Sequence, residues 1–290
     1  MKLPSALVTP NWLAAHLTDP DIRVFDVTVY LRPNPEGYGY LTESGESKWR
    51  EGHIPGAGFL DLIKRFSDPD AKVGFMMPAP EAFAHLAGEA GIGDHTAVIL
   101  YSTGSVMWAT RFWWMLRSMG FDNVAVLDGG WDRWCREGHP VSQTVTSPQP
   151  ATFTPHPRPR LWANKADMMA AIGDHNVCTI NALAPETYSG DKNVYGRAGH
   201  IPGSHNVFYN TLIDERDGTF WPPQTLRDRF EPIGAFDKPR VIAYCGGGIS
   251  ATMDALALTL AGHPDIAVYD GSMSEWVADP ALPLVTGGAP

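Results

Sequence analysis

Short runs of consecutive apolar residues alternate along the chain with stretches whose apolar positions recur at helical spacing. In the first half the runs predict strands at Ile22–Val27, Ala97–Tyr101 and Val124–Leu127, and the helical spacing predicts helices at Pro80–Ala90 and Trp108–Met119. In the second half the strands are expected at Val177–Ile180, Arg240–Tyr244 and Ile266–Tyr269, with helices near Lys165–Ala171, Gln224–Phe230 and Ala251–Ala261. A strand without alternation has to be covered on both faces, and strands separated by helices build parallel sheets. The expected fold class is α/β, with a central, mostly parallel sheet flanked by helices. The aromatic stretch Trp108–Trp114, which lies on a helical pattern, reads as core.

This pattern occurs twice. Gly52-His53-Ile54-Pro55-Gly56-Ala57 returns as Gly199-His200-Ile201-Pro202-Gly203-Ser204 at an offset of 147. Val98–Ser102 matches Val241–Cys245 at an offset of 143, and Leu127-Asp128-Gly129-Gly130, ending at Trp134, matches Tyr269-Asp270-Gly271-Ser272, ending at Trp276, at 142. Landmarks in one order with slowly drifting offsets indicate tandem domains, because a repeat this long exceeds the roughly 20–50 residues of a solenoid unit. The domains are placed at 1–140 and 161–290. The segment 141–160 between them is rich in Ser, Thr and Pro (Ser147-Pro148-Gln149-Pro150, then Pro155, Pro157 and Pro159) and reads as an extended linker.

Composition narrows the function classes. With 290 residues, 44% hydrophobic and 19% charged, the chain is globular, not disordered. Its 22 Lys+Arg against 32 Asp+Glu leave a net charge of −10, which argues against nucleic-acid and anionic-membrane partners. Apolar runs such as Phe112–Leu116 fall far short of the ~20 residues that cross a bilayer. Three widely spaced cysteines, Cys135, Cys178 and Cys245, make a poor disulfide framework, and Met1–Ser5 does not open a signal peptide, so the cytoplasm is the expected compartment. The pairs Cys135/His139 and His175/Cys178 lack the further ligands of a closed zinc site, and neither a P-loop nor a dinucleotide fingerprint is present. Neither a metal nor an organic cofactor is expected.

The candidate chemistry lies where the strand Arg240–Tyr244 ends. Ligands of open α/β sheets sit beyond the carboxyl ends of the strands, and here the chain reads Cys245-Gly246-Gly247-Gly248-Ile249-Ser250-Ala251. Consecutive glycines let the backbone curl so that several N–H groups face one centre, and a helix beginning near Ala251 adds its positive end. Such surroundings hold an anion and favour a nucleophilic thiolate at Cys245. The alternative is an inert, buried cysteine beside a tight turn, which is the commoner fate of an isolated cysteine. Its place between an apolar strand and three glycines weighs against that. Ser250, the only hydroxyl of the loop, stands where it caps the following helix.

The paired His-Ile-Pro-Gly segments, the strand–Cys–loop–helix and the Asp270-Gly271-Ser272…Glu275-Trp276 element together resemble the tandem-domain rhodanese family of thiosulfate and 3-mercaptopyruvate sulfurtransferases. The resemblance spans roughly Val8 to Thr286. It implies two rhodanese-like domains facing each other across a cleft. It also implies that Cys245 takes a sulfane sulfur from a small anionic donor, becomes a persulfide and passes the sulfur to cyanide, a thiol or thioredoxin. Residues 246–250 would form the anion-binding loop. Ser102 stands at the cysteine position of the first copy, which marks that domain as non-catalytic, serving either to cover the second domain or to supply a cleft wall.

Some positions depart from the family pattern. Gly247 replaces the Ser or Thr of mercaptopyruvate-specific relatives, the loop lacks the basic residues of thiosulfate-specific ones, and Asn181-Ala182-Leu183 replaces an Asp-X-Arg. Two residues are therefore candidate substrate contacts: His53, because mercaptopyruvate-preferring relatives use this histidine, and Arg197, as the missing positive charge. Arg50 matches Arg197 in the first copy, so that pair also reads as a repeated surface feature, and His200 reads as a structural copy bonding its own loop. Two rival functions were weighed. A Cys-dependent phosphatase of the same fold needs an arginine where Ala251 stands. A non-catalytic binding module gains nothing from a thiol in a cradle of amides.

Overall fold

A computed structural model describes residues 1–146 and 148–290; Ser147, in the expected linker, lies outside the described residues. The first domain is built on a five-stranded sheet in the order Leu7–Val8, Val124–Leu127, Ala97–Tyr101, Ile22–Asp26, Gly58–Phe59, with every pair parallel. The second repeats it as Trp162–Ala163, Ile266–Tyr269, Arg240–Tyr244, Val177–Asn181, Ser204–Asn206, again all parallel. Central strands are sealed on both faces: every residue of Ala97–Tyr101 and of Val241–Tyr244 is buried. Helices cover them, among them Pro80–Glu89 and Met107–Ser118 in the first domain and Pro223–Phe230 and Ala251–Leu260 in the second. The helix Lys165–Ala171 begins with a capping box in which Asn164 Oδ1 accepts from the amides of Ala166 and Asp167 while Asp167 accepts from the amide of Asn164. No helix among the described residues is long and apolar enough to cross a membrane.

Between the sheets the chain runs along the first domain. The amide of Ala151 donates to Gly88 O at 2.9 Å, that of His156 to Met119 O at 2.8 Å, and Phe153 is buried against Phe83 and Phe121.

The domains meet through matching elements. The helices Met107–Ser118 and Ala251–Leu260 pack together, with Thr110 Oγ1 and Thr252 Oγ1 2.7 Å apart across the contact. Two equivalent carboxylates cap the other domain's loop: Asp128 accepts from the amide of Phe220 at 2.9 Å, and Asp270 accepts from the amide of Met77 at 2.7 Å. One apolar core runs through both domains, so each copy buries surface the other would leave wet. Trp113 and Trp114 belong to that core as expected, whereas the buried Trp108 also lines a cavity.

The second helix carries a residue that the core has to tolerate. Asp254 is fully buried and neither of its carboxylate oxygens has a partner among the described residues. Burial pushes its carboxyl well above the ordinary value. Burial likewise pushes Asp26 and Asp128 up to about 6. An acid raised on folding is protonated in the folded chain at pH values where the unfolded chain has released its proton. Stability therefore falls as pH rises above ~4, through the window up to each raised value. Asp254→Asn cannot ionise, and is expected to gain at least ~1 kcal/mol over the parent at pH 7, with the gain shrinking toward zero near pH 4. Urea unfolding midpoints of both proteins across that range check this; a gain that does not change with pH would contradict it.

Candidate active site

Cys245 follows the last residue of the central strand Arg240–Tyr244, and the loop after it leads into the helix Ala251–Leu260. The residue is only 1% exposed. The amides of Cys245 and Gly248 both donate to Ser272 Oγ at 3.1 Å, and Ser272 Oγ donates in turn to Tyr269 O at 2.7 Å. On the other side, the carbonyls of Cys245 and Gly246 accept from the amides of Met273 and Ser274 at 3.0 and 2.8 Å. These bonds hold the loop by its ends. The amides of Gly246, Gly247, Ile249 and Ser250 have no protein acceptor among the described residues. Free donors beside a strand-end thiol and a helix start make a site suited to an anion or a sulfur-centred charge.

Two glycines of the loop cannot be replaced in place. Gly248 has φ of +71°, and a Cβ there would fall 2.5 Å from Asp270 O. At Gly246 a Cβ would overlap the Tyr195 hydroxyl.

Ser272 is one of two non-glycine residues with positive φ among those described, at 47°. Its counterpart in the first domain is Gly130, with φ of 58°. The second domain thus holds a serine in a left-handed conformation costing roughly 1–3 kcal/mol, and its hydroxyl is the tether of the loop. Ser272→Gly relieves the backbone strain and removes the tether. Its thermal midpoint is expected to stay within a few degrees of the parent while turnover at Cys245 falls on the order of 10-fold. Parallel melting and initial-rate measurements check this, and equal loss or equal retention of both would contradict it.

The loop opens into a cavity of about 530 Å³ lined by both domains. Cys245, Gly246, Gly247, Ile249, Ser250 and Ser274 form one side, with Leu183 and Tyr195 from the same domain. The first domain closes the other side with Phe75 and Trp108 and with the hairpin Val29–Pro33/Tyr40–Ser44, whose Gly39 donates its amide to Val194 O at 2.7 Å. Burial, and then the neighbouring Cys245, push the Tyr195 hydroxyl up, so it remains protonated. Tyr40, Phe75 and Tyr195, and the place of Trp108 in the cavity wall, carry no signal in the sequence, since only tertiary folding brings them to Cys245.

Two expected substrate contacts lie elsewhere. His53 is completely buried, with Nδ1 2.7 Å from Trp49 O and Nε2 3.1 Å from Thr144 O, while its backbone pairs with Ser142. His200 repeats this arrangement with Tyr188 O at 2.8 Å and Ala289 O at 3.1 Å, so its ring bonds carbonyls outside its own loop instead of within it. Arg197 donates to Asp279 O and Leu282 O at 2.9 and 2.8 Å, tying down the C-terminal segment. Neither His53 nor Arg197 lines the cavity, since backbone carbonyls occupy both; Arg50, at the matching place in the first copy, pairs with Glu46 at 2.6 Å instead. Ser250 occupies the N-cap position, yet its side chain makes no capping bond; it lines the cavity instead.

A family model described as "Rhodanese-like domain" matches residues 9–137 and again 166–279. The chain belongs to the rhodanese family. A probable 3-mercaptopyruvate sulfurtransferase of Pseudomonas aeruginosa is 34% identical to this rhodanese, covering 97% of this chain and 98% of the relative. The thiosulfate sulfurtransferase of Cricetulus griseus is 33% identical, covering 93% and 91%. Among solved structures, SseA from Escherichia coli, described as a 3-mercaptopyruvate sulfotransferase of "Rhodanese" fold, superposes with a TM-score of 0.81 at 29% identity, covering 92% of this chain and 98% of that one. The rhodanese is an enzyme of the sulfurtransferase type, with two tandem α/β domains as expected.

The first domain of the rhodanese shows what a filled loop looks like. Ser102 Oγ donates to Ser105 O at 2.7 Å, the amide of Thr103 donates to Thr28 Oγ1 at 3.0 Å, and that of Gly104 donates to Asp132 Oδ2 at 2.7 Å. A carboxylate of the chain itself takes the place of an anion there. Ser274 stands where Asp132 stands in the first repeat, and turns its hydroxyl to Gly246 O at 2.7 Å, leaving the loop amides free.

Arg111, on the helix Met107–Ser118, fastens the first domain to the loop. It is fully buried, pairs with Asp270 Oδ1 at 2.6 Å, donates to Gly248 O at 3.0 Å and also donates to Phe75 O. Its guanidinium lies 4.6 Å from the Trp162 ring centroid. The signal for Arg111 in the sequence is a charge inside the apolar, aromatic stretch Trp108–Trp114, which by itself reads as core.

Proposed function

We propose that Cys245 carries the sulfur moved by this rhodanese. Its thiolate attacks the outer sulfur of thiosulfate or the thiol sulfur of 3-mercaptopyruvate, both small anionic donors. The S–S or C–S bond breaks and its electron pair leaves on sulfite or on pyruvate enolate, which takes a proton from water to become pyruvate. The persulfide on Cys245 is then attacked by a thiophilic acceptor: cyanide, a small thiol or reduced thioredoxin. This two-step covalent route gives ping-pong kinetics. The observation that supports it most is the set of four unengaged amides around a cysteine at a strand end that lines the cavity. Those donors match a charge that sits first on the donor and then on the persulfide. The proposed setting is the cytoplasm.

The test is mass spectrometry of the purified enzyme after incubation with thiosulfate or with 3-mercaptopyruvate. One added sulfur on the Cys245 peptide is expected from at least one donor, and an unmodified Cys245 with both would overturn the reading. A phosphatase reading has no support in the cavity, where the helix begins with Ala251 and no arginine is among the described lining residues.

A further inference from the structure

The cavity around Cys245 carries no Lys, Arg or His among its described lining residues. Its walls are aromatic and aliphatic, with Tyr40, Phe75, Trp108, Tyr195 and Leu183, and its one ionisable carboxylate is Asp68. The nearby buried cation, Arg111, is already neutralised by Asp270, and its Nη1 and Nη2 donate to Gly248 O and Phe75 O. The chain as a whole carries −10. Resting on the persulfide reading above, we propose that this rhodanese selects as acceptor a small thiol with an amine-bearing, apolar body, and discriminates against thiols that carry a carboxylate.

The two half-reactions place different demands on one cavity. A small anionic donor arrives while Cys245 carries no extra sulfur, so the free amides of Gly246, Gly247, Ile249 and Ser250 are open to its charge. Once the sulfur is on Cys245, the same amides face the persulfide. A carboxylate arriving with the acceptor then finds apolar walls and Asp68 and has to shed water without a counter-charge. An ammonium group meets the opposite surroundings, aromatic faces and a carboxylate, each of which attracts it. At about 530 Å³ the cavity also has room for an acceptor much larger than cyanide. The transfer balances as Cys245–S–SH + R–S⁻ → Cys245–S⁻ + R–S–SH. The acceptor thiolate attacks the outer sulfur, the S–S bond breaks, and its electron pair leaves on Cys245.

The test compares cysteamine, 2-mercaptoethanol and mercaptoacetate, which are similar in size and carry a positive, no and a negative group. Acceptor kcat/KM is measured with thiosulfate or 3-mercaptopyruvate as donor, after mass spectrometry has shown the persulfide on Cys245. Each value is divided by the same thiol's rate with a small persulfide free in solution, which removes its intrinsic reactivity. The expected normalised ratio of cysteamine to mercaptoacetate is at least about 10, with 2-mercaptoethanol between them. Thr42→Lys, at an exposed position of the cavity wall, should lower that ratio at least about fivefold, and Asp68→Asn should lower it as well. A ratio near one in the parent enzyme, or a ratio unmoved by both substitutions, would overturn the proposal. Failure to load Cys245 at all would instead remove the persulfide reading beneath it.

Discussion

Replacing Cys245 by serine is expected to lower sulfur transfer by on the order of 10⁴-fold or more from either donor, while the protein keeps its fold. A hydroxyl is scarcely ionised at neutral pH and cannot form a persulfide, so the same loop, cavity and free amides would have nothing to load. The structure contains its own control. Ser102 occupies the equivalent strand end, but its hydroxyl is bonded to Ser105 O and its loop amides are taken by Thr28 and Asp132. Ser102→Ala is therefore expected to change the rate less than about twofold, because nothing at that loop takes part in the reaction. The check is initial-rate assay of both variants with matched circular dichroism spectra. Substantial transfer by Cys245→Ser would contradict the account.

The second large effect is expected at Arg111. Arg111→Leu leaves Asp270 buried without its counter-charge and releases the carbonyls of Gly248, in the Cys245 loop, and of Phe75, in the facing wall of the first domain. Breaking a buried pair from one side typically costs ~3–5 kcal/mol, a large share of the stability of most domains. The double variant Arg111→Leu/Asp270→Asn removes both charges and is expected to recover part of that loss while transfer stays low, since the hold on Gly248 is still missing. Denaturant titration of the single and double variants, with assays on each, measures this. A single variant within ~1 kcal/mol of the parent would show that the pair does not hold the domains as described.

The repeat made both sheets legible, because Val98–Tyr101 and Val241–Tyr244 lie in central strands sealed on both faces and their apolar runs have no other use. The edge strands Leu7–Val8, Gly58–Phe59, Trp162–Ala163 and Ser204–Asn206 were not, since two or three residues hold no period to read. The Cys245 loop was legible because three glycines beside a cysteine are a local signal. Its walls were not. Phe75, Trp108 and Tyr40 come from the other repeat, and their role exists only once the domains pack. The same limit explains His53 and Arg197: their motif repeats, but apart from Trp49 O the carbonyls that occupy them, those of Thr144, Asp279 and Leu282, lie far along the chain. Ser272 was visible as part of a motif, but its hold on the amides of Cys245 and Gly248 was not, because the bond depends on a left-handed backbone.

The most direct test is a single turnover. Enzyme loaded with isotopically labelled sulfane sulfur, freed of donor, is mixed with excess acceptor, and both protein and acceptor are followed by mass spectrometry. The account predicts that one labelled sulfur per chain leaves the Cys245 peptide and appears on the acceptor at a rate no slower than steady-state turnover. Label that stays on Cys245 while turnover proceeds, or that reaches the acceptor from another residue, would contradict it.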